Sequence, residues 1–232
     1  MKPAVSIGYR IRQTLLFIIS LEPQPYKDTI DLITMSLTEY LSNHAIKELE
    51  GNIENVKQQQ EELILLSKGI KTAMEIGFNA GHSAELFLKN NPDLTLTSFD
   101  IGDHNYVLTG KRYIDQAFPG RHTLIIGDST MSIPKFIRDH PGTNFDLLFI
   151  DGCHEFEIAK ADLENCRHLA HKDSIVVMDD TIFSDIGIGQ WNIGPTKAVL
   201  ELHKKGLLIN LKVADFVAGR GMAVGNYNLD NL

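Results

Sequence analysis

The chain has 232 residues, a formal net charge of −8 and no run of Lys or Arg. Its length suits one α/β domain with some additional helix, and 43% hydrophobic with 22% charged residues is ordinary for a globular protein. The acidic balance argues against nucleic acid or an anionic membrane as the main partner. The two cysteines lack metal-type spacing, which argues against a cysteine zinc site and favours a reducing, cytoplasmic setting.

Residues 1–68 predict a leader followed by helices, packed on the main domain at 69–232. Arg10 and Arg12 precede the apolar run 15–21 like the start of a signal peptide, but the run is short and no cleavage pattern follows. A packed strand or helix is therefore favoured over a signal, an anchor or a disordered leader. Residues 26–68 predict helix with a break at Gly51, and the polar stretch 55–62 predicts a solvated face. These helices are a candidate homodimer surface, and no segment has the ~18 apolar residues of a membrane span.

From residue 71 onward, strand patterns alternate with helix patterns. The strand candidates are 72–76, 95–99, 123–126, 145–150 and 174–178, with helices near 81–90, 106–117, 130–139 and 155–169. Parallel neighbours need crossover connections, so this alternation predicts an α/β fold with a doubly wound, Rossmann-like sheet. A helix near 195–204 has Pro195 at its predicted first turn. Runs at 207–213 and 222–225 predict a closing antiparallel pair, giving seven strands in total.

Glycines follow the first strand in EIGFNAGHS, residues 75–83. They let the backbone pass close to a ligand, and the next helix presents free N–H groups. The spacing lacks the Gly-x-Gly-x-x-Gly of dinucleotide binders and the Gly-Lys-Ser/Thr of phosphate loops. Glu75 would repel a pyrophosphate, yet it suits a ligand with an ammonium or sulfonium charge. A plain tight turn is the alternative interpretation.

Two further aspartates follow the next two strands. Asp100 closes the second strand at the position from which a carboxylate bridges ribose hydroxyls in nucleotide-binding α/β folds. Asp128 follows the third strand and could contact an adenine amino group or cap the next helix. A solvated strand end is the alternative for Asp100.

The fourth and fifth strands end abruptly in carboxylates. Asp151 follows one apolar run, and Asp179 and Asp180 follow the other. Because ligands bind beyond the carboxyl ends of such strands, these side chains are predicted to share one crevice with His154. Three carboxylates repel one another unless a cation or ligand balances them, so an active site is predicted here.

Five segments together resemble a class I S-adenosylmethionine-dependent methyltransferase over about residues 70–227. They are EIGFNAGHS, FD at 99–100, GDS at 127–129, FIDGCHEFEIAKADL and VVMDDT. The resemblance implies that Asp100 holds the ribose of the cofactor and that Asp128 and Ser129 hold its adenine. The residues implied around its methionine part are Glu75, Gly77, Asn79, Gly81 and Ser83.

The second half is similar to the metal-dependent O-methyltransferases of the catechol, caffeoyl-CoA and macrolide-sugar types. That resemblance implies Mg²⁺ (or Mn²⁺) held by Asp151, Asp179 and Asp180, with a small-molecule hydroxyl acceptor. The catechol type has a Lys base where this chain has His154, and the sugar-modifying branch has His there. A sugar or alcohol hydroxyl is therefore predicted, with His154 as general base. The alternative is that His154 only orders the site.

Three other functions stay open as alternatives. A metal-independent enzyme of the same fold would methylate nitrogen or a different oxygen. A cofactor-binding module without catalysis has no need of clustered carboxylates. A metal-dependent oxygenase is disfavoured because no His-His-carboxylate triad is apparent.

Several residues near these motifs receive structural predictions. His82 and His171 are predicted to be solvated, and Cys153 to be a small buried residue. Trp191 is predicted in a glycine-rich loop, 187–194, with lining of the acceptor pocket as one interpretation. The residues predicted on an exposed, ion-paired helix face are Glu155, Glu157, Lys160 and Asp162.

Overall fold

The computed structural model describes residues 35–51, 56–183, 189–217 and 219–230. Seven α-helices lie in these ranges: α1 (Leu37–Asn43), α2 (Lys57–Leu66), α3 (His82–Asn90), α4 (Val107–Ala117), α5 (Ser129–Asp139), α6 (Phe156–Cys166) and α7 (Gln190–Lys204). The strands are β1 (Thr72–Ile76), β2 (Thr95–Asp100), β3 (His122–Ile126), β4 (Phe145–Ile150), β5 (Ala170–Asp179), β6 (Leu208–Asp215) and β7 (Gly221–Tyr227). A 3₁₀ turn, Arg167–Leu169, joins α6 to β5.

The strands form one sheet in the order β3-β2-β1-β4-β5-β7-β6. Strands β1 to β5 run parallel to one another, and β7 pairs antiparallel with both β5 and β6. The predicted doubly wound sheet with a closing antiparallel pair is therefore confirmed. The strand order reverses between β1 and β4, which opens a crevice at the carboxyl ends of these two strands.

Successive residues of the central strand β4 pack on opposite faces of the sheet. Leu147 and Phe149 join one core cluster, and Leu148 and Ile150 join the other. All four side chains are fully buried. Because strand side chains alternate in direction, a strand covered by helices on both faces must be apolar at every position. This is why FDLLFI reads as a continuous apolar run.

The N-terminal segment contributes to the first of these clusters. Leu37 and Leu41 of α1 and Leu63 of α2 are almost completely buried and pack in the same cluster as Phe149. The prediction of helix throughout 26–68 is wrong for residues 44–51, which form a turn and then irregular backbone from the C-cap of α1 onward. Gly51 does mark a break, with φ of 72°. The leader, with its apolar run at 15–21, lies outside the described residues, and the division at residue 68 stays a prediction.

Helix α7 begins earlier than predicted. It begins at Gln190, so Pro195 lies inside the helix and Trp191 lies on it, rather than in a loop. The Asn192 side chain explains the early beginning, because its Oδ1 accepts a hydrogen bond from the Gly189 N–H (3.0 Å) and so fixes the first turn. Such side-chain bonds satisfy donors that the helix itself leaves unpaired.

Asp162 of α6 is buried, which contradicts the predicted exposed face. Its side chain has no accessible surface, and neither carboxylate oxygen has a hydrogen-bond partner in the described part of the chain. Burial raises the pKa of Asp162 to about 7. The helix period placed Asp162 with charged neighbours, but its carboxylate lies against Gly152 of the loop after β4 and Ser129 at the start of α5.

Replacing Asp162 by Asn is expected to stabilise the protein increasingly as pH rises. The folded-state pKa lies above the unfolded value, so the wild-type folded state binds more protons and loses stability between about pH 4 and pH 7. The gain from Asp162→Asn should be larger at pH 8 than at pH 5.5 by about 2 kcal/mol, measured by urea unfolding. Glu157→Gln on the exposed face of the same helix is the control. An equal gain at both pH values would contradict a buried, ionising carboxyl.

Candidate active site

A cavity of about 650 Å³ opens at the carboxyl ends of the parallel strands. The loops that follow β1 to β5 all contribute to its wall. Gln59 of α2, Trp191 of α7 and Arg220 of the turn between β6 and β7 complete that wall. The cavity has two ends with different chemistry, one built on the glycine loop after β1 and the other on carboxylates.

The glycine loop crosses directly beneath the end of β4. A Cβ atom on Gly77, whose φ is 92°, would lie 1.9 Å from the backbone oxygen of Asp151. Only glycine permits this approach, which joins the two ends of the cavity. Asn79 follows with φ of 53°, and its N–H donates to Asp100 Oδ2 (2.8 Å). The second oxygen of Asp100 accepts from Gly102 N–H (2.7 Å), so this carboxylate is fixed at the cavity wall.

Glu75 lies behind the wall rather than on it. It is completely buried and accepts hydrogen bonds from the hydroxyls of Ser83 (2.7 Å) and Ser98 (2.6 Å). Burial raises the pKa of Glu75 to about 7, and the two hydroxyls lower it in part. Ser83 lines the cavity, so it stands between Glu75 and any ligand there. Gly81 is also set back, against the ring of Phe78.

The end of β3 supplies Asp128 and Ser129, which both line the cavity. Asp128 is the N-cap of α5, and its Oδ1 accepts from both the N–H (2.8 Å) and the hydroxyl (2.7 Å) of Thr130. The capping role considered from the sequence is therefore present. A capping carboxylate at a helix N-terminus can still accept from a ligand, because it has two oxygens and several lone pairs.

The opposite end of the cavity brings Asp151, Asp179 and Asp180 together as predicted from their strands. Asp179 and Asp180 are buried, with 5% and 4% of their surfaces exposed. Burial, and then the charges of Asp179 and Asp180, raise the pKa of Asp151 well above its usual value. Burial and Asp180 likewise raise the pKa of Asp179. Carboxylates held this way repel one another, and a bound cation relieves that repulsion.

His154 stands at the mouth of this acidic end. Its Nε2 lies 3.0 Å from Asp180 Oδ2, with 41% of the imidazole surface exposed. The hydrogen bond to Asp180 raises the pKa of His154 above its usual value. Helix α7 packs closely here: a Cβ on Gly194 would lie 2.0 Å from the backbone oxygen of His154.

The donor atoms of this end fit a divalent cation. One ligand atom each from Asp151, His154 and Asp180 can be grouped within 4.8 Å of one another. Carboxylate oxygens with room for a further ligand are what Mg²⁺ and Mn²⁺ prefer. Asp179 is outside this group, although it lines the same cavity. The set in the structure therefore differs by one residue from the predicted Asp151, Asp179 and Asp180.

Three residues that contact the acidic pair are not predicted by the sequence motifs. Arg220 Nη1 donates to Asp180 Oδ1 (3.2 Å), Gln59 Nε2 donates to Asp179 Oδ1 (2.5 Å), and the Asn192 amide donates to the Asp180 backbone oxygen (3.0 Å). The last bond holds Asp180 in its left-handed conformation, with φ of 50°. Arg220 was detectable only as a lone cation in the Gly-containing turn before β7. Gln59 and Asn192 carry no signal in their spacing.

The N-terminal segment also reaches the glycine-loop end of the cavity. The amide of Asn79 donates to the backbone oxygen of Glu50, whose carboxylate lies 2.6 Å from His104 Nε2. The backbone N–H of Glu50 donates to the Tyr106 hydroxyl (3.3 Å). Residues 50–51 therefore form part of the wall over the glycine loop.

Three of the neighbouring residues, His82, Cys153 and His171, differ from their predictions, whereas Trp191 lines the cavity as one interpretation predicted. His82 is buried and lines the cavity, with Nε2 3.1 Å from the Thr38 hydroxyl, because α1 covers it. Cys153 is exposed at the cavity rather than buried, since its loop leaves the sheet. His171 is half-buried and lies 3.0 Å from Asp146 Oδ1. Trp191 lines the cavity with 47% of its surface exposed.

Comparisons with known proteins agree with this geometry. Residues 74–181 match a family model described as a methyltransferase domain. That span runs from β1 to the residue after the acidic pair, so it includes both ends of the cavity. The chain adopts the fold of the class I S-adenosylmethionine-dependent O-methyltransferases. A search of curated protein sequences found no match.

Solved structures share the methyltransferase fold at low sequence identity. An O-methyltransferase from Bacillus cereus in complex with SAH is 13% identical, with a TM-score of 0.63 over 90% of this chain and 100% of that one. TomG of tomaymycin synthesis from Streptomyces achromogenes, in complex with SAM, is 15% identical, with a TM-score of 0.62 over 97% and 100%. CalS11, a TDP-rhamnose 3′-O-methyltransferase of calicheamicin biosynthesis, is 21% identical, with a TM-score of 0.57 over 87% and 94%. Among the described residues of this chain, no helix is long and apolar enough to cross a membrane.

Proposed function

We propose that this chain transfers a methyl group from S-adenosylmethionine to a hydroxyl group of a small sugar or alcohol, with Mg²⁺ or Mn²⁺ at the acidic end of the cavity. The observation that supports it is a single cavity with both chemistries. One end has the glycine loop, Asp100 and Asp128, and the other has the buried carboxylates beside His154. A cationic methyl donor and a hydroxyl acceptor could therefore meet within one cavity, which favours reaction by proximity.

The cofactor end would act mainly through oriented hydrogen bonds. Asp100 suits the ribose hydroxyls, since its carboxylate is already fixed by Asn79 and Gly102. Ser83 and the charge of Glu75 behind it suit the cationic methionine part. Asp128 and Ser129 suit the adenine ring at the start of α5.

The acidic end would hold the cation through Asp151 and Asp180, whose carboxylates group within 4.8 Å of one another and of His154, and Asp179, the neighbour of Asp180, would add negative charge beside them. A bound divalent ion would supply Lewis-acid activation of the acceptor hydroxyl at neutral pH. In the transfer, the S–CH₃ bond breaks with its electron pair remaining on sulfur, and a lone pair of the acceptor oxygen forms the new O–CH₃ bond. His154 would take the hydroxyl proton on the ring nitrogen that does not face Asp180, and Asp180, 3.0 Å from Nε2, would stabilise the imidazolium that results.

The choice of a sugar or alcohol acceptor is supported by two observations. By the sequence resemblance, His154 stands where the catechol enzymes have their Lys base. Trp191 offers a half-exposed ring at the cavity wall for a sugar ring to pack on. The TDP-rhamnose 3′-O-methyltransferase with the same fold acts on a sugar. Transfer of a radiolabelled methyl group to a panel of sugar nucleotides, simple alcohols and catechols tests this choice, and transfer to catechols alone would overturn it.

A metal-independent methyltransferase is the second candidate, and one observation favours it. Arg220 and Gln59 already bind two of the carboxylates within the protein itself. Full turnover after thorough chelation would select this candidate over the metal-dependent one.

Cofactor binding is expected to depend on Asp100. S-Adenosylhomocysteine should bind with a micromolar dissociation constant, about −8 kcal/mol. Asp100→Ala should weaken it by about 1–3 kcal/mol, because charged hydrogen bonds to the ribose and support for the glycine loop are both lost. Calorimetry measures this, with Asp103→Ala, an exposed aspartate of the same loop, as the matched control. A wild-type protein that binds NAD but neither S-adenosyl compound would overturn the proposed function.

A further inference from the structure

Gln59 makes an unusual contact for a residue of a polar helix. Its side-chain amide donates to Asp179 Oδ1 at 2.5 Å, across 120 positions of sequence. Only 2% of the Gln59 surface and 5% of the Asp179 surface are exposed. Gln59 also lines the cavity at its acidic end. The contact therefore joins the N-terminal segment to the reactive part of the site.

The position of Gln59 on α2 is one where an apolar residue would be expected. Val56, which caps the helix, and Leu63 are buried on either side of Gln59, at spacings of three and four residues. The adjacent Gln58 points to solvent. A buried amide costs free energy unless it is hydrogen-bonded, so a Leu or Met would pack here at lower cost. What the amide supplies instead is a directed donor to one carboxylate oxygen.

Two donors converge on the same oxygen of Asp179. Besides Gln59, the backbone N–H of Asp180 donates to Oδ1 at 2.8 Å. Together they fix the rotation of the carboxylate at the end of β5. Partners of this kind orient the ligands of metal sites, and their loss typically weakens metal affinity 10–100-fold.

We propose that Gln59 is a positioning residue that fixes Asp179 through Oδ1, the same oxygen that holds the Asp180 N–H, and so orients the acidic pair beside the cation group of Asp151, His154 and Asp180, which makes α2 part of the active site. The proposal rests on the proposed metal-dependent function. It assigns the N-terminal segment a role in cation binding that the sequence motifs at 75–181 do not contain. It also accounts for the deep burial of one glutamine of a triplet whose first member, Gln58, is exposed.

The test uses Mn²⁺ alone as the probe, on the full-length chain. Gln59→Met removes the donor with little change of shape, and Gln59→Asn keeps an amide that is one methylene too short to reach Asp179. Both variants should bind Mn²⁺ about 10–100-fold more weakly, by electron paramagnetic resonance or calorimetry. Gln58→Met, one residue away, is the matched control and should bind as the wild type does.

Binding of S-adenosylhomocysteine and thermal unfolding of the metal-free variants separate positioning from mere folding. Both should stay close to wild type in Gln59→Met, because its side chain fills the same space. The proposal would be overturned if Mn²⁺ affinity fell only together with cofactor binding and stability. It would also be overturned if both variants bound Mn²⁺ as the wild type does. A wild-type protein that binds no Mn²⁺ would overturn the metal-dependent function and this proposal together, whereas failure of the variants alone leaves that function standing.

Discussion

Asp151→Asn is expected to abolish methyl transfer while making the metal-free protein more stable. The amide has the shape of the carboxylate but removes one charge from a group whose members repel one another. Because the pKa of Asp151 is raised in the folded protein, its ionisation destabilises the fold, and the gain from Asn should grow as pH rises above the usual range of an aspartate. Turnover should fall by ~10³-fold or more, since cation binding and several kcal/mol of transition-state stabilisation are lost.

A substitution that raises stability and lowers turnover identifies a residue that serves activity rather than folding. Thermal unfolding of the chelated protein and a methyl-transfer assay with and without added Mg²⁺ measure the two quantities. Asp173→Asn, on the exposed part of β5, is the matched control and should change neither. A lower stability of Asp151→Asn would show that the carboxylate is structural, and unchanged turnover of chelated enzyme would favour the metal-independent mechanism.

His154→Ala is expected to reduce turnover by ~10²–10⁴-fold, which is the usual contribution of general base catalysis to the rate. The hydrogen bond to Asp180 raises the pKa of the imidazole, so the metal-free wild type should hold this proton to a higher pH than a free histidine does. Nuclear magnetic resonance titration of the ring measures that pKa. His168→Ala, an exposed histidine of the 3₁₀ turn, is the control.

The same variant separates two roles for His154. As a base, its loss should leave Mn²⁺ and S-adenosylhomocysteine affinities close to wild type. His154 also groups with Asp151 and Asp180, which is the geometric argument for a role as cation ligand. If it has that role, its loss should weaken Mn²⁺ binding as well. Near wild-type turnover across pH 6–9 would contradict both roles and leave His154 as a residue that orders the site.

The sheet and the location of the site could be predicted because local patterns carry them. FDLLFI is apolar at every position since both faces of β4 are covered, and parallel strands bring their carboxyl ends to one edge. Asp151, Asp179 and Asp180 therefore had to meet once their strands were recognised. The same reasoning placed Asp100 and Asp128 on the cavity wall, because each directly follows a strand of the same sheet.

Contacts between distant segments were decided only by the tertiary structure. Gln59 and Asp179 are 120 residues apart, and Arg220 reaches Asp180 across 40, so no local period or spacing relates the partners. Asp162 is a second case, since its helix pattern predicts exposure while the loop after β4 and the start of α5 bury it. Sequence by itself determined which strands carry the carboxylates, because alternation and apolar runs are local properties of a buried sheet. Which side chains surround those carboxylates depended on how helices and turns from the two ends of the chain pack over the sheet, and packing is a property of the whole fold.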